Sequence, residues 1–393
     1  MGRKRTVIAL AALLAGALAL SACGGGGGGG ASGGGSDANT IKIGFMGDLT
    51  GENSGIVIPP RNGAKMAIDA YNATNPPKKI ELVEYDSQGT PDQAVPLVTK
   101  AIQQDKIVGL IGPAFSGESK AADPVLEQGQ IPSISPSATN PGLAQNGWKY
   151  FHRVVAADSA QGPALADFLV TAKSPKTAFV ISDDQEYSVG LADAVEKQLK
   201  AKGVTVDRDQ FAQAASDYSS SVAKIKAANP DVIFFGGYYS QGGRLLKQIR
   251  DAGVTALFAT GDGSLDTGLI KGAGEQAAEG AIVGCPCAVP GATAAQGTLK
   301  EFYDKYKSTF NVEPAVYSTE GYDAATAFIK AVQAGNTTPD TINTFLATLS
   351  FAGVAKPVKF QPDGDVESTD IFVHEVKGGK IELLGNSKDA KLG

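Results

Sequence analysis

Residues 176–184 read KTAFVISDD: a lysine, an apolar run centred on Phe179, Val180 and Ile181, and two closing aspartates. A short apolar run bounded by charge, with β-branched and aromatic residues at its centre, fits a strand buried on both faces, as strands of parallel sheets are. Its position decides the fold, because here a pattern begins for the second time. Upstream, IKIGFM (41–46), KIELVEYD (79–86), KIVGLIG (106–112) and IPSIS (131–135) alternate with helical periodicity over 62–75, over 91–105 and from about 117. Downstream, VTVDRDQF (204–211), DVIFFGG (231–237) and ALFATGDG (256–263) alternate with helices near 188–202, 217–228 and 240–252. Each series describes strands covered by helices on both faces.

Two such series predict an α/β chain with two similar lobes, each a mostly parallel sheet flanked by helices. GAIVGCPCAVPG (280–291) is followed by three further helices, near 295–309, 315–334 and 338–348, and by the terminal strands PVKFQPDGDV (357–366) and IFVHEVKGGKIELL (371–384). These pieces are accommodated if the chain passes between lobes near 156, 287 and 360, which makes a multi-crossing hinge. The expected division is 39–156 plus 288–359 for the first lobe and 157–287 plus 360–388 for the second.

The amino-terminal end has a separate character. MGRKR is a basic head, TVIALAALLAGALAL a short apolar run and LSAC a small-residue processing site, the pattern of a signal peptide over 1–22. The site ends on Cys23 and resembles the lipobox of bacterial lipoproteins, which implies a lipidated amino terminus there. The glycine-rich stretch that completes 23–38 has no side chains with which to form a core; as a flexible coil its GGGGGGGASGGGS spans roughly 20 Å root-mean-square and serves as a tether. A lipid anchor of this kind places the protein on the outer face of the cytoplasmic membrane. The whole chain carries a formal charge of −6, and the mature part is more acidic once Arg3, Lys4 and Arg5 are removed. With no cluster of Lys and Arg beyond the leader, nucleic acid is not expected as a partner.

The chain offers little of what an enzyme needs. Its two histidines, His152 and His374, both fall within strand-like runs. No phosphate-binding loop, nucleophile elbow or spaced Cys/His metal set is present, and serines without a base are poor nucleophiles. No cofactor or metal is expected. The chain does place polar loops at the carboxyl ends of its strands, where open α/β sheets take ligands. IGPAFSGES puts Ser116 after one strand and at a helix start, and ISPSATNPG puts Ser135, Ser137 and Thr139 after the next. Hydroxyls beside a helix amino terminus hold an anion without any arginine; an ordinary N-cap at Ser116 and turn chemistry at Thr139–Pro141 are compatible alternatives. In the second series DDQEYSVG places Tyr187, FFGGYYSQGG places Tyr238 and Tyr239, and ATGDGS places Asp262, an acid suited to an ammonium group among aromatic faces.

IKIGFMGDLTG, NGAKMAIDAYN, VEYDSQGTPDQAV, LIGPAFS, ISPSATNP, DDQEYSVGLADAV and FFGGYYSQGGRLLKQIRDAG together resemble the branched-chain amino acid-binding proteins of ABC transporters, from Ile41 to about Leu384. The resemblance implies a type I periplasmic-binding fold. It implies that Ser116 and Thr139 take a ligand carboxylate, with Ala114, Phe115, Ser137 and Ala138 beside them. Asp262 falls where the family often has a glutamate for the ammonium, Tyr187 and Tyr238 fall on its aromatic contacts, and Ile56 stands where an aromatic residue is expected. Phe115 and Thr90 replace the cysteines that form a disulfide in some members. The implied protein is a monomeric, lipid-anchored solute-binding partner of an ABC permease. Binding of amides, urea or aromatic carboxylates on the same fold, or a ligand-sensing receptor subunit, remain alternatives. Cys285 and Cys287, outside the cytoplasm and two residues apart, favour a small disulfide over a metal site, with free thiols the remaining option.

Overall fold

The computed structural model describes residues 39–291 and 296–392. The expected leader, Cys23 and the tether lie outside them.

The first sheet contains β1 (Thr40–Gly47), β2 (Lys79–Asp86), β3 (Gly109–Ile111), β4 (Ser133–Ser135) and β5 (Phe151–Arg153), in the order β2-β1-β3-β4-β5 and all parallel. Its helices are α1 (Ser54–Asn72), α2 (Pro91–Lys100) and α3 (Ser116–Gln128). Side chains alternate across a strand, so adjacent residues of β1 feed different cores. Phe45 joins the cluster containing Ile56, Val57 and Ala64 of α1, whereas Met46 joins Ala94 and Val98 of α2 and Ala122 and Leu126 of α3.

The second sheet is built the same way. After α4 (Asp158–Lys173) come β6 (Thr177–Asp183), α5 (Glu186–Ala201), β7 (Thr205–Phe211), α6 (Ser219–Ala228), β8 (Val232–Gly236), α7 (Tyr239–Asp251), β9 (Leu257–Thr260), α8 (Thr267–Ala273), α9 (Glu275–Ala278) and β10 (Ile282–Cys285). Phe234 and Phe235 of β8 are fully buried in different clusters on opposite faces; each such ring contributes about 2–3 kcal/mol of burial. The chain then forms α10 (Thr298–Phe310), α11 (Ser318–Gln333) and α12 (Pro339–Leu346), and the small antiparallel pair β11 (Ser350–Ala352) and β12 (Pro357–Lys359). Finally β13 (Phe372–Lys377) and β14 (Lys380–Asn386) add antiparallel strands, giving the order β14-β13-β10-β9-β8-β6-β7.

Several elements differ from the expectation: α4, α8 and α9 were absent from it, and the strand expected over 357–366 is confined to β12. Helix α1 begins at Ser54, not near Asn62, and carries Pro59 and Pro60 inside it. Proline there removes helix hydrogen bonds, but packing against α11 compensates: a Cβ on Gly63 would lie 2.0 Å from the Ser318 carbonyl oxygen, and one on Gly321 2.0 Å from that of Pro60. The two helices thus cross backbone to backbone. The expected strand at 106–112 shortens to β3 because Lys106 adopts a left-handed backbone, φ 59°. Strand β5, only three residues long, was missing from the alternating pattern. Its Arg153 proves central to the site.

Candidate functional site

The loops after β3 and β4 are locked together. Ser135 Oγ donates to the Pro113 carbonyl oxygen at 2.6 Å and accepts from Ala138 N at 3.0 Å, while Ser137 Oγ donates to the Ala114 carbonyl oxygen at 2.7 Å. Asn140 N donates to Ser116 Oγ at 3.2 Å; accepting that bond leaves the hydroxyl its own proton to donate. Ser116 is the first helical residue of α3 and not its cap. Glu118 serves the helix end, accepting from Phe115 N at 3.0 Å and from Ser87 Oγ, and burial lifts its carboxyl to about 7. Beneath the loop lies Arg153, completely buried, whose Nη1 donates to the carbonyl oxygens of Ala138 (3.0 Å) and Asn140 (2.8 Å) while Nε pairs with Asp365 at 2.6 Å. The Asn140 side chain makes a local turn by accepting from Gly142 N at 2.7 Å. Turn-forming and site-forming roles coexist in this loop.

The second sheet presents Asp262, which follows β9 and is 2% exposed. Its Oδ1 accepts from Gln161 Nε2 at 2.6 Å and from Tyr187 OH at 2.9 Å, and its Oδ2 accepts from Tyr317 OH. Gln161 Nε2 also donates to Asp158 Oδ1 at 2.8 Å, and Asp158 Oδ2 accepts from Thr139 Oγ1 at 3.1 Å. Thr139 therefore faces an acid at the start of α4. Burial, and then the neighbouring Asp262, push the Asp158 carboxyl up to about 8; burial likewise raises Asp262, against the pull of its three hydrogen-bond donors. Among the described residues no lysine or arginine is bonded to either acid.

Aromatic contacts run from one half to the other. The Tyr187 and Tyr238 rings are 5.0 Å apart, and Tyr238 meets Phe115 at 4.8 Å. Asn140 Nδ2 donates to the Glu186 carbonyl oxygen at 2.8 Å, Gly55 N donates to Tyr239 OH at 3.2 Å, and Lys120 pairs with Glu186 at 2.8 Å. Ile56, next to Gly55, is buried in the cluster that contains Phe115, Tyr187 and Tyr238. A cavity of about 460 Å³ opens beside the aromatic contact, lined by Phe115, Gly117, Glu186, Tyr187 and Tyr238 among others. A larger one, about 710 Å³, lies around Asp231, Ala256 and Gly280 at the amino ends of the second sheet's strands, the end away from ligand sites in such folds.

Of the expected ligand-binding residues, Ala114, Phe115, Ser116, Ser137, Ala138, Thr139, Tyr187, Tyr238 and Asp262 lie on these strand-end loops or the helix starts that follow them, and Ile56 lies in the cluster with Phe115, Tyr187 and Tyr238. Ser137 differs in detail, since its hydroxyl is engaged by the Ala114 carbonyl. Sequence reasoning missed Asp158, Gln161, Arg153 and Tyr317. The signal for the first two was DSAQ (158–161), an acid and an amide three apart at a helix start. Tyr317 has a left-handed backbone, φ 60°, just before α11, and nothing in the local sequence announces its reach to Asp262.

Cys285 and Cys287 are disulfide-bonded and buried at the end of β10. The intervening Pro286 carbonyl oxygen accepts from Lys356 Nζ at 2.7 Å, and that lysine pairs with the buried Glu320 at 3.1 Å. His152 and His374 are buried in strands with pKa values lowered by burial to about 4. Among the described residues no group of three or more His, Cys, Asp or Glu side chains could hold a metal, and no helix is long and apolar enough to cross a membrane.

Two α/β lobes whose strand-end loops meet around buried polar groups define a two-lobed solute-binding protein. The chain belongs to the periplasmic binding protein family, whose model matches residues 40–380. Members of this family bind solutes and are not enzymes. The leucine-, isoleucine-, valine-, threonine- and alanine-binding protein of Pseudomonas aeruginosa is 29% identical over 342 residues, covering 86% of this chain and 90% of that protein. The crystal structure of the leucine-binding protein LivK of Thermotoga maritima superimposes with a TM-score of 0.81 at 28% identity, covering 88% of this chain and 98% of that one. LivJ of Streptococcus pneumoniae, crystallised with isoleucine, gives a TM-score of 0.80 at 26% identity over 88% of this chain and 99% of its own.

Proposed function

We propose that this chain is the extracytoplasmic solute-binding lipoprotein of an ABC importer, that it closes its lobes around a small aliphatic amino acid and that it delivers the ligand to a permease. The observation carrying this reading is the polarity of the cleft. A hydroxyl-bearing pair of loops, with Ser116 and Thr139 beside Ala114, Ser137 and Ala138 and with Arg153 beneath, faces two carboxylates, Asp158 and Asp262, to which no lysine or arginine among the described residues is bonded. A zwitterion satisfies both ends, and Phe115, Tyr187, Tyr238 and Ile56 supply apolar surface for its side chain. The amino acids for which the relatives are named, or with which they were crystallised, support the same class. The lobes in this reading are 39–156 plus 288–359 and 157–287 plus 360–388, and their closure assembles the site. Lipidation at Cys23 keeps the monomer beside its transporter.

A thermal-shift comparison tests the ligand class. L-leucine at about 100 times its Kd adds about 2.7 kcal/mol of stability, whereas isocaproate, lacking the ammonium, and isoamylamine, lacking the carboxylate, leave the melting temperature unchanged at the same concentration. Stabilisation by isocaproate or benzoate equal to that by leucine would replace the amino acid with a carboxylate ligand.

A further inference from the structure

The acid pair implies more than a place for an ammonium group. One amide nitrogen, Gln161 Nε2, is bonded to an oxygen of each acid, at 2.8 Å to Asp158 and 2.6 Å to Asp262, so the carboxylates lie no farther apart than those two bonds laid end to end. Asp158, Gln161 and Asp262 are each at most 2% exposed. Gln161 Oε1 is buried beside them without a hydrogen-bond partner, an acceptor awaiting an N–H from a bound group. The surroundings do not neutralise two negative charges. Tyr187, Tyr238, Tyr317 and Glu118 are neutral or anionic, Glu320 beyond them is paired with Lys356, and Arg153, the one cation that acts on Asp158, is bonded to Asp365 and to the Ala138 and Asn140 carbonyls and not to either acid. Asp158, Gln161 and Asp262 all belong to the 157–287 segment, so the acids stay this close when the lobes part, and two like charges sharing one site are not both tolerated.

We infer that the Asp158–Asp262 pair shares one proton in the unliganded protein and that the ammonium group of the ligand displaces it, so that binding releases a proton to solvent. This rests on the amino acid reading above. The balance is simple: the carboxyl O–H bond breaks, its proton goes to water, and the incoming ammonium restores the site's charge. The raised pKa values of both acids agree with this arrangement. Closure brings up Thr139 and Tyr317 as further donors, but neither carries positive charge. A ligand without a cation therefore leaves the proton in place.

Calorimetric titration of the full chain with L-leucine, between about pH 6 and 8 and in two buffers of different ionisation enthalpy, tests the coupling. Affinity is expected to rise by about tenfold per pH unit, with about one proton released per ligand bound. Asp158→Asn and Asp262→Asn should each abolish the release. Leucine binding with no pH dependence and no proton release would overturn the inference and leave the amino acid reading intact. If no amino acid binds, that reading fails, and the inference is judged on the ligand-free protein by a carbon-13 titration of its aspartate carboxyls. A titration above the usual carboxylate range that vanishes in both Asn variants supports the shared proton; two ordinary titrations refute it.

Discussion

Replacing Arg153 by methionine should loosen the loop that carries Thr139. Methionine retains most of the aliphatic volume of the arginine stem, so the loss is mainly polar. Two buried carbonyls, of Ala138 and Asn140, lose charge-assisted donors at 3.0 and 2.8 Å, at about 1.5 kcal/mol each. The pair with Asp365 contributes less than its 2.6 Å separation suggests, because the Asp365 side chain is 22% exposed and water takes over part of its solvation; about 1 kcal/mol is reasonable. The expected loss is about 4 kcal/mol in all. In urea, with a slope of about 3 kcal/mol per M, the midpoint falls by more than about 1 M. Asp365→Asn alone should cost about 1 kcal/mol, and adding it to Arg153→Met should change little, since the pair is already broken. A loss below about 1 kcal/mol for Arg153→Met would show that the loop is held by its serine contacts alone and would refute this account of the brace.

Other expectations concern the frame. Gly63→Ala forces α1 away from α11, because its Cβ would meet the Ser318 carbonyl oxygen at 2.0 Å; a loss of about 3 kcal/mol or more is expected in the same denaturation assay. Burial raises Asp323 to about 8. The folded protein therefore holds that proton where the unfolded chain has lost it, and this contribution to stability is full below about pH 4 and disappears as pH rises through about 8. Asp323→Asn should consequently gain on the wild type from pH 5 to pH 8, as read from urea midpoints at about those two values, and a constant difference would contradict the shift. His152 and His374 act in the opposite sense: buried neutral at about 4, they favour folding above about pH 6.5 and lose that contribution as pH falls toward about 4. A double His→Gln variant should flatten the decline. Alkylation under denaturing, non-reducing conditions should leave Cys285 and Cys287 unmodified; labelling of either would contradict the disulfide.

The alternation of strand and helix was legible because parallel strands buried on both faces, such as β6 and β8, are continuous apolar runs that need no partner to be recognised. The start of α1 was hidden, since Pro59 and Pro60 argue locally against a helix that the glycine contacts with α11 make possible. Strand β5 was too short to show a period. The site divides similarly. Ser116, Thr139, Tyr187, Tyr238 and Asp262 each follow a recognisable strand, so their neighbourhood is a consequence of topology. Gln161 and Tyr317 come from helix starts that reach Asp262 over separations of 101 and 55 residues, the first across the second sheet's own segment and the second from the helices that follow it. No local pattern records such a meeting.

The central claim is that one cleft grips a zwitterion at both ends. A crystal structure of the protein with L-leucine tests it most directly. The account predicts the α-carboxylate within hydrogen-bond reach of Ser116 Oγ and the 137–140 loop, with the ammonium on Asp158, Asp262 and Gln161 Oε1. Leucine bound elsewhere, or with its ammonium away from both acids, would contradict it.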